Sequence, residues 1–231
     1  MDARSLLLGQ GSTAIDPKGN RHSVWTEFVD GDFEVFWALR DGKGKALVPA
    51  LRITSSDGVS AFPKVLIDSR GCAHILWLDD RDHGTGSLAF ELYHRVLNTE
   101  GEFLTRERRL SSPRVSLSPK GTPPKNWFSS EVRLAGFDAE IDVQDRLNIC
   151  WAGFNQAHSE IFYARFDRRG TTTIEPRIVS EGKFEGICLD PRIQLAGDRI
   201  TILYASTSGS GWRLYYSQLA WMETLSSGRN R

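Results

Sequence analysis

Apolar residues in this chain cluster in short runs rich in Val, Ile, Trp, Tyr and Phe, divided by groups of Asp, Gly, Asn and Ser. From Pro63 to Leu97 the pattern predicts three strands: PKVLID, then AHILWL after a Ser-Arg-Gly turn, then FELYHRVL after a polar loop. HILWL and IFYARF come close to continuous apolar runs rather than clean alternation, which is the pattern of strands covered on both faces.

The pattern recurs. IDPKGNRHSVW (Ile15 to Trp25), IDSRGCAHILW (Ile67 to Trp77) and IDVQDRLNICW (Ile141 to Trp151) share an Asp nine residues before a Trp, and LAGDRITILY (Leu195 to Tyr204) is a weaker fourth copy. The following strand repeats in the same order, as FEVFWALRD, FELYHRVLN, SEIFYARFD and WRLYYSQLA. The intervals Trp25 to Trp77, Trp77 to Trp151 and Trp151 to Tyr204 are 52, 74 and 53 residues. The long interval is one repeat of roughly 50 residues plus an insertion of about 22, placed at residues 113–136.

Segments before or after these copies, VPALRITS, TRERRLSS and EPRIVSEG, read as fourth strands, and Arg4 to Gln10 resembles them. The expected fold is therefore all-β: a single-domain β-propeller over residues 1–231, with four blades of four strands. The N-terminal strand would complete the last blade and remove an exposed edge. Residues 221–231 are left as a tail. Trp25, Trp77, Trp151, Trp37, Tyr93 and Tyr163 are expected to fill the space between blades. Asp16 and Asp68, each three residues before a Gly, are expected to cap turns through their carboxylates. His22 and His74 are expected to be polar strand positions rather than a metal pair, because Asn148 and Thr201 replace them in the other copies.

These residues resemble the Asp-box and sialidase-like family of β-propeller repeats, with the pattern Ile-Asp-x-x-Gly-x-x-His-x-x-Trp-x-Asp-x-Arg followed by Glu-Ile-Tyr-Tyr. The second copy matches best, with Asp68, Gly71, His74, Trp77, Asp79, Arg81, Glu91, Leu92 and Tyr93. The resemblance covers about Ala14 to Leu219 apart from the insertion. It implies a propeller, in a family that includes sialidases, other glycosidases, sugar-binding lectins and surface proteins. Its enzymes use an arginine triad, a Tyr–Glu nucleophile and an Asp acid/base; the chain has no Phe-Arg-Ile-Pro segment, the nearest being Phe62-Pro63-Lys64.

Composition narrows the partners. Equal numbers of basic and acidic side chains, 29 of each, provide no long-range attraction for nucleic acid or an anionic membrane. No stretch has the length of a membrane span, and MDARSLLLGQ has only Leu6 to Leu8 where an export signal needs a longer apolar region. The chain as written is expected to be cytoplasmic. Cys72, Cys150 and Cys188 are expected to be reduced, and the two beside predicted strands, Cys72 and Cys150, to be buried.

In a propeller, the connections between second and third strands share a face with those between blades. That face should carry Thr26 to Asp32, Leu78 to Ala89, Ala152 to Ser159, Ala205 to Gly211, the insertion and Glu181 to Asp190. Long loops on a rigid scaffold are where function concentrates. The richest is LDDRDHGTG: Asp79, Asp80 and Asp82, with Glu27, are the candidate catalytic carboxylates for a glycoside. Asp30, Asp32, Asp80 and Asp82 are candidate Ca²⁺ ligands, with no cofactor as the main expectation. The alternative for Asp79 and Arg81 is a hairpin ion pair. Arg81, His83, Trp127, Asn155 and His158 are the candidate ligand contacts, Trp127 either stacking on a sugar or partner or capping the fold. The expected function is binding of a carbohydrate or protein ligand, with a sialidase-like glycosidase as the rival. The expected state is a monomer, or a self-associating chain if the propeller is incomplete.

Overall fold

A computed structural model describes residues 11–82, 90–111, 136–155, 158–180, 188–208 and 211–220. Among these the secondary structure is strand throughout, in two compact units, Met1–Ser111 and Ser112–Arg231. The first unit holds sheet one, β1 (Ser12–Ile15), β2 (Arg21–Val29), β3 (Asp32–Arg40) and β4 (Ala46–Arg52), and sheet two, β5 (Ser60–Ile67), β6 (Ala73–Asp79), β7 (Glu91–Leu97) and β8 (Arg108–Arg109). The second holds sheet three, β9 (Phe137–Ile141), β10 (Leu147–Asn155), β11 (His158–Phe166) and β12 (Thr172–Ile178), and sheet four, β13 (Cys188–Ala196), β14 (Arg199–Ser208) and β15 (Gly211–Ala220). Each sheet is an antiparallel meander in chain order, as the repeat predicts. Sheet four has three strands among the described residues; the expected closing strand at Arg4 to Gln10 lies outside them.

One turn chemistry closes six of the hairpins. Asp16 Oδ1 accepts from the amides of Lys18 and Asn20 at 2.8 Å each, while its own carbonyl accepts from the amide of Gly19. Asp68 and Asp142 repeat this between first and second strands. Asp41, Asn98 and Asp167 repeat it between third and fourth strands. The fourth turn position needs positive φ, and it is Gly19 (82°) in the first copy and Asp145 (59°) in the third.

The second oxygen of the turn Asp reaches the second strand. His22 Nε2 lies 3.7 Å from Asp16 Oδ2 and His74 Nε2 3.6 Å from Asp68 Oδ2, and in sheet three Asn148 Nδ2 donates to Asp142 Oδ2 at 3.2 Å. The expected strand histidines are thus fully buried beside the turn carboxylates.

The repeated aromatics pair across the second and third strands of every sheet: Trp25 with Phe36, Trp77 with Tyr93, Trp151 with Phe162 and Tyr204 with Tyr215, stacked with centroids 5.8–6.0 Å apart. In the first unit Trp77 and Tyr93 pack into one core with Trp37, Val24 and Val35 of sheet one. In the second unit Tyr204 and Tyr215 pack against Cys150, Ile161 and Tyr163 of sheet three. Cys150 and Cys188 are buried free thiols and Cys72 is half-buried, also free.

Candidate functional site

Strands run further into the predicted ligand loops than the sequence pattern shows. β2 and β3 meet through Asp30-Gly31 alone, both at positive φ (57° and 95°), with Val29 opposite Asp32. The reason is the mirror-image turn that a two-residue Asp-Gly hairpin favours. Likewise Asn155 pairs with His158 and Ser208 with Gly211, so only residues 156–157 and 209–210 separate the strands. Glu27, expected in a loop, is inside β2. The connection after Asp79 is longer than these, and His83 lies outside the described residues, as does Trp127 in the insertion; Asn155 ends β10 and His158 opens β11.

The acids of this region stand in facing pairs. Glu27 is opposite Glu34 and Asp79 opposite Glu91; in sheet three Gly153 faces Glu160. Like charges so placed repel, and each acid has its own counterpart. Glu34 accepts from the Thr54 hydroxyl and from Arg52 Nη2 at 2.7 Å. Glu91 accepts from the Ser111 hydroxyl and pairs with Arg109 Nη2 at 2.8 Å. Those hydroxyls accept in turn from the amides of Val35 and Leu92, so one unit ties the third strand to the end of the fourth. The same arginines reach the loop: Arg52 Nη1 to Asp30 Oδ2 and Arg109 Nη1 to Asp82 Oδ2, each at 3.0 Å. Asp30 and Asp82, both five residues after the repeat Trp, are therefore equivalent ion-pair partners.

Asp79 is the most engaged carboxylate. It accepts from Trp77 Nε1 at 3.0 Å, Ser60 Oγ at 2.8 Å, and Arg81 Nε and Nη2 at 2.7 and 2.6 Å. Burial pushes its carboxyl up, but the Arg81 guanidinium and these donors outweigh burial and hold it below the usual range. It is a fixed anion near neutral pH, not a proton donor. Arg81 Nη1 continues to Glu107 Oε2 at 2.6 Å, and its guanidinium lies over the Tyr93 ring at 4.6 Å. Tyr93 donates to Asp82 Oδ2 at 2.7 Å; burial and that bond raise the phenol, keeping it protonated. Asp80 is fully buried, with Oδ1 accepting the Val59 amide at 2.7 Å. Asp32 Oδ2 accepts the Gly58 amide at 2.9 Å, which joins the inter-sheet connection to the β2–β3 hairpin. Glu27 is exposed and accepts from Trp25 Nε1 at 3.2 Å.

The structure thus gathers Asp79, Arg81, Asp82, Tyr93, Glu91, Glu107 and Arg109 into one network of the first unit. Glu107 and Arg109 carry no mark in the second-strand motif. The signal for Arg109 is the paired recurrence of Phe-Glu in the third strand and Arg-x-Thr or Arg-x-Ser at the fourth, as in Arg52-Ile53-Thr54 and Arg109-Leu110-Ser111. Among the described residues no group of three or more His, Cys, Asp or Glu side chains could hold a metal ion. No helix of the described residues is long and apolar enough to cross a membrane.

No protein-family profile and no curated protein sequence matches the chain. Solved structures do match in shape. An endo-arabinase from Bacteroides thetaiotaomicron superposes with a TM-score of 0.52 at 16% identity, over 92% of this chain and 77% of that one. A family-43 endo-arabinanase from Bacillus licheniformis gives 0.51 at 12% identity, over 96% and 73%. An ulvan lyase of polysaccharide lyase family 25, solved with a GlcA(1-4)Rha3S saccharide, gives 0.52 at 9% identity, over 92% and 57%. With its antiparallel meander sheets, three of four strands and one of three among the described residues, the chain is similar to these in fold, which is of the β-propeller type.

Proposed function

We propose that the chain is a carbohydrate-binding propeller module, with no turnover of its ligand. The observation that supports it is the engagement of the loop acids: Asp79 by Arg81, Asp80 by the Val59 amide, and Asp82 by Tyr93 and Arg109. A glycoside-cleaving pair needs one carboxyl held protonated and a second free to attack or to activate water. An anion tied to Arg81 and a phenol raised by burial serve neither task. The saccharide class of ligand follows the arabinan- and ulvan-acting proteins of like fold. Ligand contacts are assigned to the candidates read from the sequence, Arg81, His83, Trp127, Asn155 and His158.

The test is calorimetric titration with arabinan and uronate oligosaccharides, in parallel with assays for new reducing ends and unsaturated products. Binding without product is the expected result. Product formed by the parent chain and lost in Asp79→Asn, Asp80→Asn, Asp82→Asn or Glu27→Gln would replace this reading with a glycosidase.

A further inference from the structure

Sheet four buries one face in the second unit, and on the other several large apolar side chains of the described residues are exposed. Tyr204, Tyr215 and Ile202 pack into the core with sheet three, whereas Trp212, Leu214 and Tyr216 of β15 are 53%, 80% and 67% exposed and Leu203, opposite Tyr216, is 44% exposed. Trp212 and Tyr216 lie on one face, four residues and so about 13 Å apart along the strand. Beside them, between β12 and β15, a cleft of about 340 Å³ is lined by Arg177, Val179, Tyr216, Ser217 and Leu219. Its floor is fixed by Ser217 Oγ, which donates to the Val179 carbonyl at 2.6 Å.

Arg177 is released from the lock that holds its counterparts. Arg52 stands opposite Phe36 and Arg109 opposite Tyr93, where each meets the third-strand glutamate. In sheet three Ile178 takes that place, opposite Phe162, and Arg177 falls one residue earlier, opposite Tyr163. A one-residue offset moves a side chain to the other face of its strand, away from Glu160, which keeps the Ser180 hydroxyl. The Arg177 guanidinium lies 5.7 Å from the Tyr163 ring, and its Nε and Nη2 are buried with no hydrogen bond. Those two donors form the edge with which an arginine grips a planar oxyanion.

We infer that the β12–β15 cleft binds an acidic saccharide, Arg177 pairing with its anionic group and Tyr216, which also lines the cleft at the exposed edge, stacking on a ring. The inference rests on the carbohydrate-binding reading for its ligand class, but it uses a separate site. The shared chemistry is an oxyanion on a sugar, whether uronate carboxylate or sulfate ester. Aromatic faces supply stacking that tolerates different sugars, and the arginine supplies selection by charge.

The test titrates the full chain with a uronic-acid trisaccharide, a neutral trisaccharide and its sulfated form. The expected result is that the uronate or the sulfated trimer binds at least about tenfold more tightly than the neutral one, that Arg177→Leu removes that preference, and that Tyr216→Ala weakens all three. Arg177→Leu keeps the strand packing, and Tyr216 is mostly exposed, so both variants should unfold in urea as the parent does. The uronate and sulfated arms distinguish the two sources of the charge. Binding untouched by either substitution, or lost only in His158→Ala or Trp127→Ala, overturns this site while keeping the carbohydrate-binding reading. No binding of any trimer overturns both. A parent dimer that Tyr216→Ala dissociates would place a second copy on this face and also overturns the proposal.

Discussion

Arg81 closes a two-point bridge on Asp79, Nε to Oδ1 at 2.7 Å and Nη2 to Oδ2 at 2.6 Å, across a gap of one residue. The bridge turns a loop arginine back onto a buried strand acid, and three further donors fill the acid's remaining lone pairs. Asp79→Asn keeps the shape but leaves the Arg81 charge half-paired. It should cost about 2–3 kcal/mol, read as a fall in urea midpoint at constant slope. Arg81→Lys should cost nearly as much, because an ammonium cannot span both oxygens.

Burial holds the His22 imidazole below its usual value against the pull of Asp16, and burial with the neighbouring His74 and Arg108 pushes His94 well below it. In the unfolded chain both titrate near about 6.5, so below that pH the unfolded state takes up protons that the folded state refuses. Their contribution is complete above the unfolded value and drains away as pH falls below it. Stability should therefore drop between about pH 6.5 and 5, while carboxylates such as Asp16 remain ionised. His22→Asn, which copies Asn148 of sheet three, should fold and show a shallower pH dependence in urea titrations.

Gly153 occupies the position that Glu27 and Asp79 hold in sheets one and two. A Cβ there would lie 2.9 Å from two ring carbons of Phe162, itself stacked on Trp151 in the core. Gly153→Ala should cost about 1–3 kcal/mol through overpacking, checked by thermal unfolding, and Phe162→Leu should recover part of that loss in the double variant.

At Gly19 the open space around the residue isolates the backbone effect: φ is 82° and nothing lies within 4 Å of an added Cβ. Gly19→Ala should cost about 1–2 kcal/mol by left-handed strain alone. Gly19→Asp should cost less, since Asp145 already holds the matching position in the third copy. Equal losses for the two would show that turn geometry is not the cause.

Much of this fold is legible in the residues themselves. The Asp-x-x-Gly turns, the repeated Trp and the two strands that follow it are local signals, because a turn needs only its own five residues and a strand pattern only its own alternation. The third-to-fourth strand turns at Asp41, Asn98 and Asp167 carry the same Asx-x-x-Gly signature and could have been read the same way. Loop lengths were not legible: Glu27 and Asn155 belong to strands because cross-strand pairing, a non-local property, carries β2 and β10 to the very end of their hairpins.

The sequence by itself determined an all-β repeat and the chemistry available at each position: acids after Trp25 and Trp77, arginines at the ends of fourth strands, aromatics at fixed intervals. Only the tertiary structure decided which of those groups are spent. Asp79 and Arg81 are two residues apart in the chain, yet their bridge is completed by Ser60 and Glu107, contributed by β5 and the segment before β8. Arg52 ends its strand and Arg177 stands one residue before the end of the equivalent one, yet one is locked onto a glutamate and the other has two donors unfilled, because a single step of register turns a side chain from one face of a sheet to the other.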